Sequence, residues 1–282
     1  MSMGSESPLT GFSDLISRVS EQDDGFAIDL PADWLQGRTS YGGLSAALCL
    51  EATIRSLPNL PPLRSAQFQF IGPAVGELKM TAKILRAGKS TVFSQAQVSG
   101  EMGIATQASF CFGSSRQTSH DFFNIPAPEA LAPEVYPAYF TWPDRPNFMQ
   151  HFEGQLVSGA RPCTANQAPE MLVWLRHKDR NSQSNLVSLL ALADALPPAI
   201  FATYQEPVPI STVSWSVDFL DESFENESGW WLVRSIAESS RFGFSTQVIS
   251  IWKPDGTPVL SARQNVAIFG NPKQIKNPVA MD

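Results

Sequence analysis

Cysteine, histidine and charge are all scarce in this 282-residue chain, which has three cysteines, three histidines and only 17% charged residues. Cys49, Cys111 and Cys163 lie far apart with no CxxC pair. That argues against a disulfide framework or a zinc knuckle and leaves three reduced, mostly buried thiols; no metal site and no cofactor is expected. The net charge of -7 at pH 7 argues against a nucleic-acid partner, which would favour a basic stripe, and directs attention to a small-molecule ligand. No stretch approaches the roughly 20 uninterrupted apolar residues needed to cross a bilayer, so no membrane span is expected. The first thirty residues place Asp14, Glu21, Asp23 and Asp24 among the apolar positions. They lack a basic start followed by an apolar run, so no signal peptide is expected and the expected location is cytoplasmic. GxGxxG, phosphate-loop and GxSxG motifs are missing too, which leaves nucleotide chemistry and the α/β-hydrolase elbow without support.

What the chain does have is 43% apolar residues, enough for one large core or two smaller ones. It also contains an internal repeat. When Phe112-Gly113 and Phe269-Gly270 are superposed, two blocks of three strands align: 78–85, 90–98 and 104–112 in the first, 231–239, 244–252 and 258–269 in the second. Apolar and polar residues alternate, with glycine-bearing connections, as in an antiparallel meander with one face buried. Before each block come a helix and a long strand. In the first half the Ala- and Leu-rich helix spans 42–57, stops before Pro58 and is followed by a strand at 63–71. In the second half the helix spans 186–196, stops at Pro197-Pro198 and is followed by a strand at 211–220. Further strands are expected at 26–31, 151–158 and 171–178. One helix facing a curved sheet of about five strands must be wrapped by it if both are to bury their apolar faces. The segment 114–146 is dense in proline and carries Phe122, Phe123, Tyr136, Tyr139, Phe140 and Trp142. It reads as an ordered crossing linker or a partly mobile one, and its aromatic residues favour packing across a domain. The expected division is an N-terminal unit at 1–118, a linker at 119–144 and a C-terminal unit at 145–282.

The string DWLQGRTSYGGLSAALCLEA (33–52), the strand at 63–71 and Gly72-Pro73 resemble the first domain of two-domain acyl-CoA thioesterases of the thioesterase II type. LADALPPAI (192–200), STVSWSVDF (211–219), the strand opening at 230–233 and LSARQNVAIF (260–269) resemble the second. The resemblance implies an α+β double hot-dog fold and hydrolysis of acyl-CoA. It places an Asp, a Thr and a Gln of the second domain at Asp194, Thr212 and Gln264. Each also makes chemical sense by itself. Asp194 lies in an otherwise apolar run where an ionised carboxylate needs a partner, and a hydroxyl and an amide can anchor a water without adding charge. Asp194 would act as general base, or as a nucleophile through an anhydride. The oxyanion donor would be backbone N–H at Tyr41, Gly42 and Gly43, at the start of the first helix.

The repeat alignment sets Gln107 opposite Gln264 and Ser45 or a neighbour opposite Asp194, so the first half is expected to bind rather than catalyse. Candidate cations for the CoA phosphates are Arg38, Arg86, Lys89, Arg234 and Arg241. Candidate acyl-tunnel walls are Trp215, Phe219 and Trp231. Two alternatives stand beside hydrolysis. Hydration of enoyl-CoA would need an Asp and a His near a helix, and neither His120, His151 nor His177 lies on a predicted one. A non-catalytic double hot-dog that binds acyl-CoA or another hydrophobic ligand is the second. Two fused copies supply one edge-to-edge sheet pairing internally, so a monomer would suffice; a homodimer of double units is the preferred expectation.

Overall fold

The structure is a computed structural model that describes residues 9–165, 167–182 and 185–270. Its main element is one continuous sheet of twelve strands. In the N-terminal half these are β1 (Ser20–Gln22), β2 (Gly25–Asp29), β5 (Leu63–Phe70), β6 (Glu77–Ala87), β7 (Thr91–Gly100) and β8 (Gly103–Gly113), with β3 (Leu35–Gln36) and β4 (Thr39–Ser40) forming a separate hairpin. The C-terminal half supplies β9 (Phe152–Gly159), β10 (Glu170–His177), β11 (Ile210–Phe219), β12 (Trp231–Arg241), β13 (Phe244–Trp252) and β14 (Pro258–Ile268).

From the centre outward, the order is β5, β8, β7, β6, β2 on one side and β11, β14, β13, β12, β10 on the other. The same sequence of parts runs in both directions: the strand after the helix, the last, middle and first strands of the meander, then the strand before the helix. The two copies meet where β5 pairs antiparallel with β11, Gln67 opposite Ser216 at the middle of the ladder. Across this junction Phe68 and Trp215 face each other with ring centroids 5.5 Å apart. This is the double hot-dog arrangement that the sequence implies.

Two helices lie against the concave face. Helix α2 (Gly42–Ser56) buries nearly every position from Gly43 to Thr53; the short α1 (Phe12–Ser17) precedes it. Leu57, the residue before Pro58, leaves the helical region with φ −122° and ψ 98°, as the following ring requires. Helix α3 (Leu186–Ala193) opens with Asn185 accepting a hydrogen bond from Ser188 N–H. It ends three residues before the position expected from the sequence. Pro197 cannot donate to the Ala193 carbonyl and disfavours helical backbone at Leu196; a tighter turn from Ala195 N–H to Leu192 O, 2.9 Å, closes the helix instead. Asp194 is therefore not a helix residue but the cap, with φ −110° and ψ 14°. Both helices and the inner faces of both half-sheets share one apolar core.

The segment 114–146 packs first on the outer face of the C-terminal half, through Ile125, Ala127 and Ala130, then follows the edge strand β9, where Ala138 bridges Gln155, and reaches the inner side at Tyr139, beside Met171 and Val173. Trp252 and Trp174 donate their indole N–H groups to the carbonyls of Ile125 and Leu131, each at 2.9 Å, and Tyr139 is fully buried. Among the described residues no helix is long and apolar enough to cross a membrane.

Candidate active site

Asp194, Thr212 and Gln264 come together. Gln264 Nε2 donates to Asp194 Oδ1 at 2.6 Å and to Thr212 Oγ1 at 3.2 Å. Each side chain reaches this point for a local reason. Gln264 lies on β14 opposite Trp215 of β11 and Gln247 of β13, on the inward face. Thr212 and Trp215 are three residues apart, so a regular strand would point them to opposite faces. A β-bulge between Thr212 and Ser214 sets Thr212 opposite Val266 while Trp215 stays opposite Gln264. The bulge turns Thr212 toward Gln264 and leaves Val213 40% exposed. Asp194 reaches the cluster because α3 ends at Ala193 and the cap residue points away from the leucines around it.

The carboxylate also meets the start of α2. Gly43 N–H donates to it, and the positive end of a 15-residue helix favours an anion there. The glycine pair permits this contact. A methyl at Gly42 would come within 2.7 Å of Asp194 Oδ2, and one at Gly43 within 2.5 Å of the Ala191 carbonyl oxygen and 2.9 Å of Asp194 Cβ. Close packing and site formation are here the same geometric requirement. Tyr41 serves packing: its ring is buried, stacked 4.1 Å from Phe148, and its hydroxyl donates to Ala191 O at 3.2 Å. Removal from bulk water pushes the Asp194 carboxyl up to about 7, against the lowering influence of the Gln264 and Gly43 donors.

Asp194, Thr212 and Gln264 line a cavity of about 1170 Å³. Its other walls are mainly apolar, with Trp142, Phe148, Met149, Phe201, Val208 and prolines from several loops, and carry Gln36, Arg38, Thr39 and Asp144 among them. An adjoining cavity of about 400 Å³ contains Gly42, Ser45, Phe70, Thr106 and Ser211, and the two share Gln36, Thr39, Pro73, Ile210 and Thr212. Thus Thr212 and the β3–β4 hairpin stand where the cavities meet. The expected tunnel walls Trp215, Phe219 and Trp231 line neither; they are buried in the core. Loops folded over the sheet, including Trp142 to Asp144 of the linker, form the wall instead. Of the five proposed phosphate-binding cations only Arg38 lines the large cavity. Lys89 lines a separate depression at the β6–β7 turn, Arg86 is exposed on β6, Arg234 faces Glu170 at 3.8 Å and Arg241 lies over Phe242. None of the three histidines lines either cavity.

The register corrects the internal alignment. Gln107 pairs with Gln69 and Gln97 on the outer face. Stepping outward from the Gln67–Ser216 centre, Thr212 corresponds to Leu63, Gln264 to Phe110 and Gln247 to Ser94. The N-terminal copy has the apolar Leu63 and Phe110 where Thr212 and Gln264 would be. Gln247 escaped the sequence reading. It is 2% exposed, shares the inward face with Ile249 and Ile251, and donates through Nε2 to Gln264 Oε1. A polar residue at an inward register position was the available signal.

No functionally curated protein matches the chain in sequence. Solved structures match its fold over nearly the whole length. A hot-dog-fold protein from Alicyclobacillus acidocaldarius has TM-score 0.82 at 22% identity, covering 93% of this chain and 100% of its own. The tesB protein of Mycobacterium avium subspecies paratuberculosis has TM-score 0.74 at 17% identity, covering 92% and 100%. An acyl-CoA thioesterase II from Mycobacterium marinum has TM-score 0.68 at 14% identity, covering 92% and 99%. The model of the acyl-CoA thioesterase N-terminal domain matches residues 30–113 and that of the C-terminal domain matches residues 128–268; the chain belongs to the acyl-CoA thioesterase family.

Proposed function

We propose that the protein hydrolyses acyl-CoA thioesters to the free acid and CoA, with Asp194 as general base and Thr212 and Gln264 positioning the attacking water. One observation carries the reading: a carboxyl held near pKa 7 within 2.6 Å of a buried amide, on the wall of a large apolar cavity. A base whose pKa lies near the working pH is half ionised there and still basic enough to take the water's proton. Gln264 uses its amide hydrogens on Asp194 and Thr212, so the Thr212 hydroxyl accepts from Gln264 and keeps its own hydrogen to donate to the water. The water's oxygen adds to the thioester carbonyl as its proton passes to Asp194. Collapse of the tetrahedral species breaks the C–S bond, and the proton returns to the leaving thiolate. Gly42, in the unpaired first turn of α2 and on the wall of the adjoining cavity, supplies the oxyanion donor. Apolar walls suit the acyl arm, and Arg38 at the exposed hairpin suits the CoA phosphates.

A panel of acyl-CoAs tests this. One CoA thiol released per acid formed, for at least one acyl group, is expected. Tight binding across the panel with no thiol release would make the protein a binding module.

A further inference from the structure

Gln264 can serve Asp194 only with its NH₂ end turned inward, and a carboxamide has no intrinsic preference for that orientation. The surrounding hydrogen bonds impose one. Ala199 N–H, which can only donate, lies 3.0 Å from Gln247 Oε1, and Ser235 Oγ lies 3.4 Å from the same oxygen. The backbone donor fixes that end of Gln247 as its carbonyl, so Nε2 is the end that faces Gln264. Gln264 must then present Oε1 to Gln247 and Nε2 to Asp194 and Thr212. Both glutamines are 2% exposed and Gln247 lines neither cavity, so water does not compete for the bond between them.

We infer that Gln247 is a positioning residue: a relay from the Ala199 backbone N–H through Gln247 sets the polarity of the Gln264 amide and thereby presents donors to Asp194 and Thr212. This rests on the reading of Asp194 as the base. Gln247 touches neither Asp194 nor the cavities, so its influence passes through Gln264. The titratable and charged groups around Asp194 are Tyr41, which faces it from the start of α2, and Arg38, Asp144 and Cys163 on the cavity wall; replacing Gln247 leaves all of them in place.

Gln247→Leu removes the relay. Gln264 then loses the donor that held its carbonyl, and Asp194 loses a reliably oriented donor. The kcat should fall by at least about tenfold, the loss of one hydrogen bond to a charged group. KM should stay near the parent value, and the midpoint of the rising pH–kcat limb should move up by roughly one pH unit. Gln247→Glu keeps the size and is read alone if the leucine variant does not fold. Protonated, its carboxyl donates to Gln264 Oε1 as the amide does. Ionised, it calls for a donor and turns the Gln264 carbonyl toward Asp194. Its activity should rise and then fall with pH where the parent reaches a plateau. A parent-like kcat and pH profile in either folded variant overturns the relay. Asp194→Asn, run alongside, separates the two ideas: full activity there removes the base assignment itself, whereas an inactive Asp194→Asn beside an unaffected Gln247 variant removes only the relay.

Discussion

The raised pKa of Asp194 makes stability depend on pH in a direction opposite to that of most carboxylates. The unfolded carboxyl titrates near 3.8 and the folded one near about 7, so the native state holds the proton more tightly. The cost of folding around this group is absent below about pH 3.8, grows as the pH rises, and is complete above about pH 7. The gap of about three pH units, at ~1.4 kcal/mol each, gives on the order of 4 kcal/mol in full. Asp194→Asn keeps the size and removes the titration. Urea unfolding of parent and variant at about pH 5 and about pH 8 isolates the effect, because any change in packing contributes equally at both. The variant should gain about 3 kcal/mol on the parent between the two conditions, from the roughly two pH units of the interval below 7. A stability difference that is flat across this range would refute the claim that Asp194 carries its charge at a cost.

Two further outcomes follow from the geometry. Gly43→Ala places a methyl 2.5 Å from Ala191 O and 2.9 Å from Asp194 Cβ; thermal unfolding should register a loss of about 1–3 kcal/mol, and kcat should fall as Asp194 is displaced. Parent-like melting and turnover would show that the helix start is not the tight wall described. Arg38→Ala should raise KM for acyl-CoA by about two- to fivefold at low salt, as befits an exposed charge, and the difference should fade at high salt; an unchanged KM at low salt would remove Arg38 from the CoA site.

The strands were legible because each meander alternates on a buried face and breaks at glycine, as at Gly103 with φ 98° and Gly243 with φ 80°. Their neighbours in the sheet were legible because the repeat fixes which strand follows which. Asp194 stood out as the one charge among leucines and alanines. What stayed hidden depended on one-residue shifts and on distant chain. The alternation in STVSWSVDF points Val213 inward and Thr212 outward, and only the bulge reverses them. Superposing the Phe-Gly pairs ignores where β8 and β14 begin their ladders, and it selected Gln107 although the register selects Phe110. The cavity wall is assembled from loops such as 142–149 and 196–198, which carry no periodicity to read. Gln247 looked like an ordinary strand glutamine until its partners Ala199 and Gln264, 48 and 17 residues away, were in place.

The most direct test is steady-state turnover of purified Asp194→Asn on the acyl-CoA that the parent cleaves fastest, with acyl-CoA binding measured beside it. A fall in kcat of about 10²- to 10⁴-fold, the range for loss of a general base, with the fold and binding retained, is the expected result. Thiol release at the parent rate would contradict the assignment of Asp194.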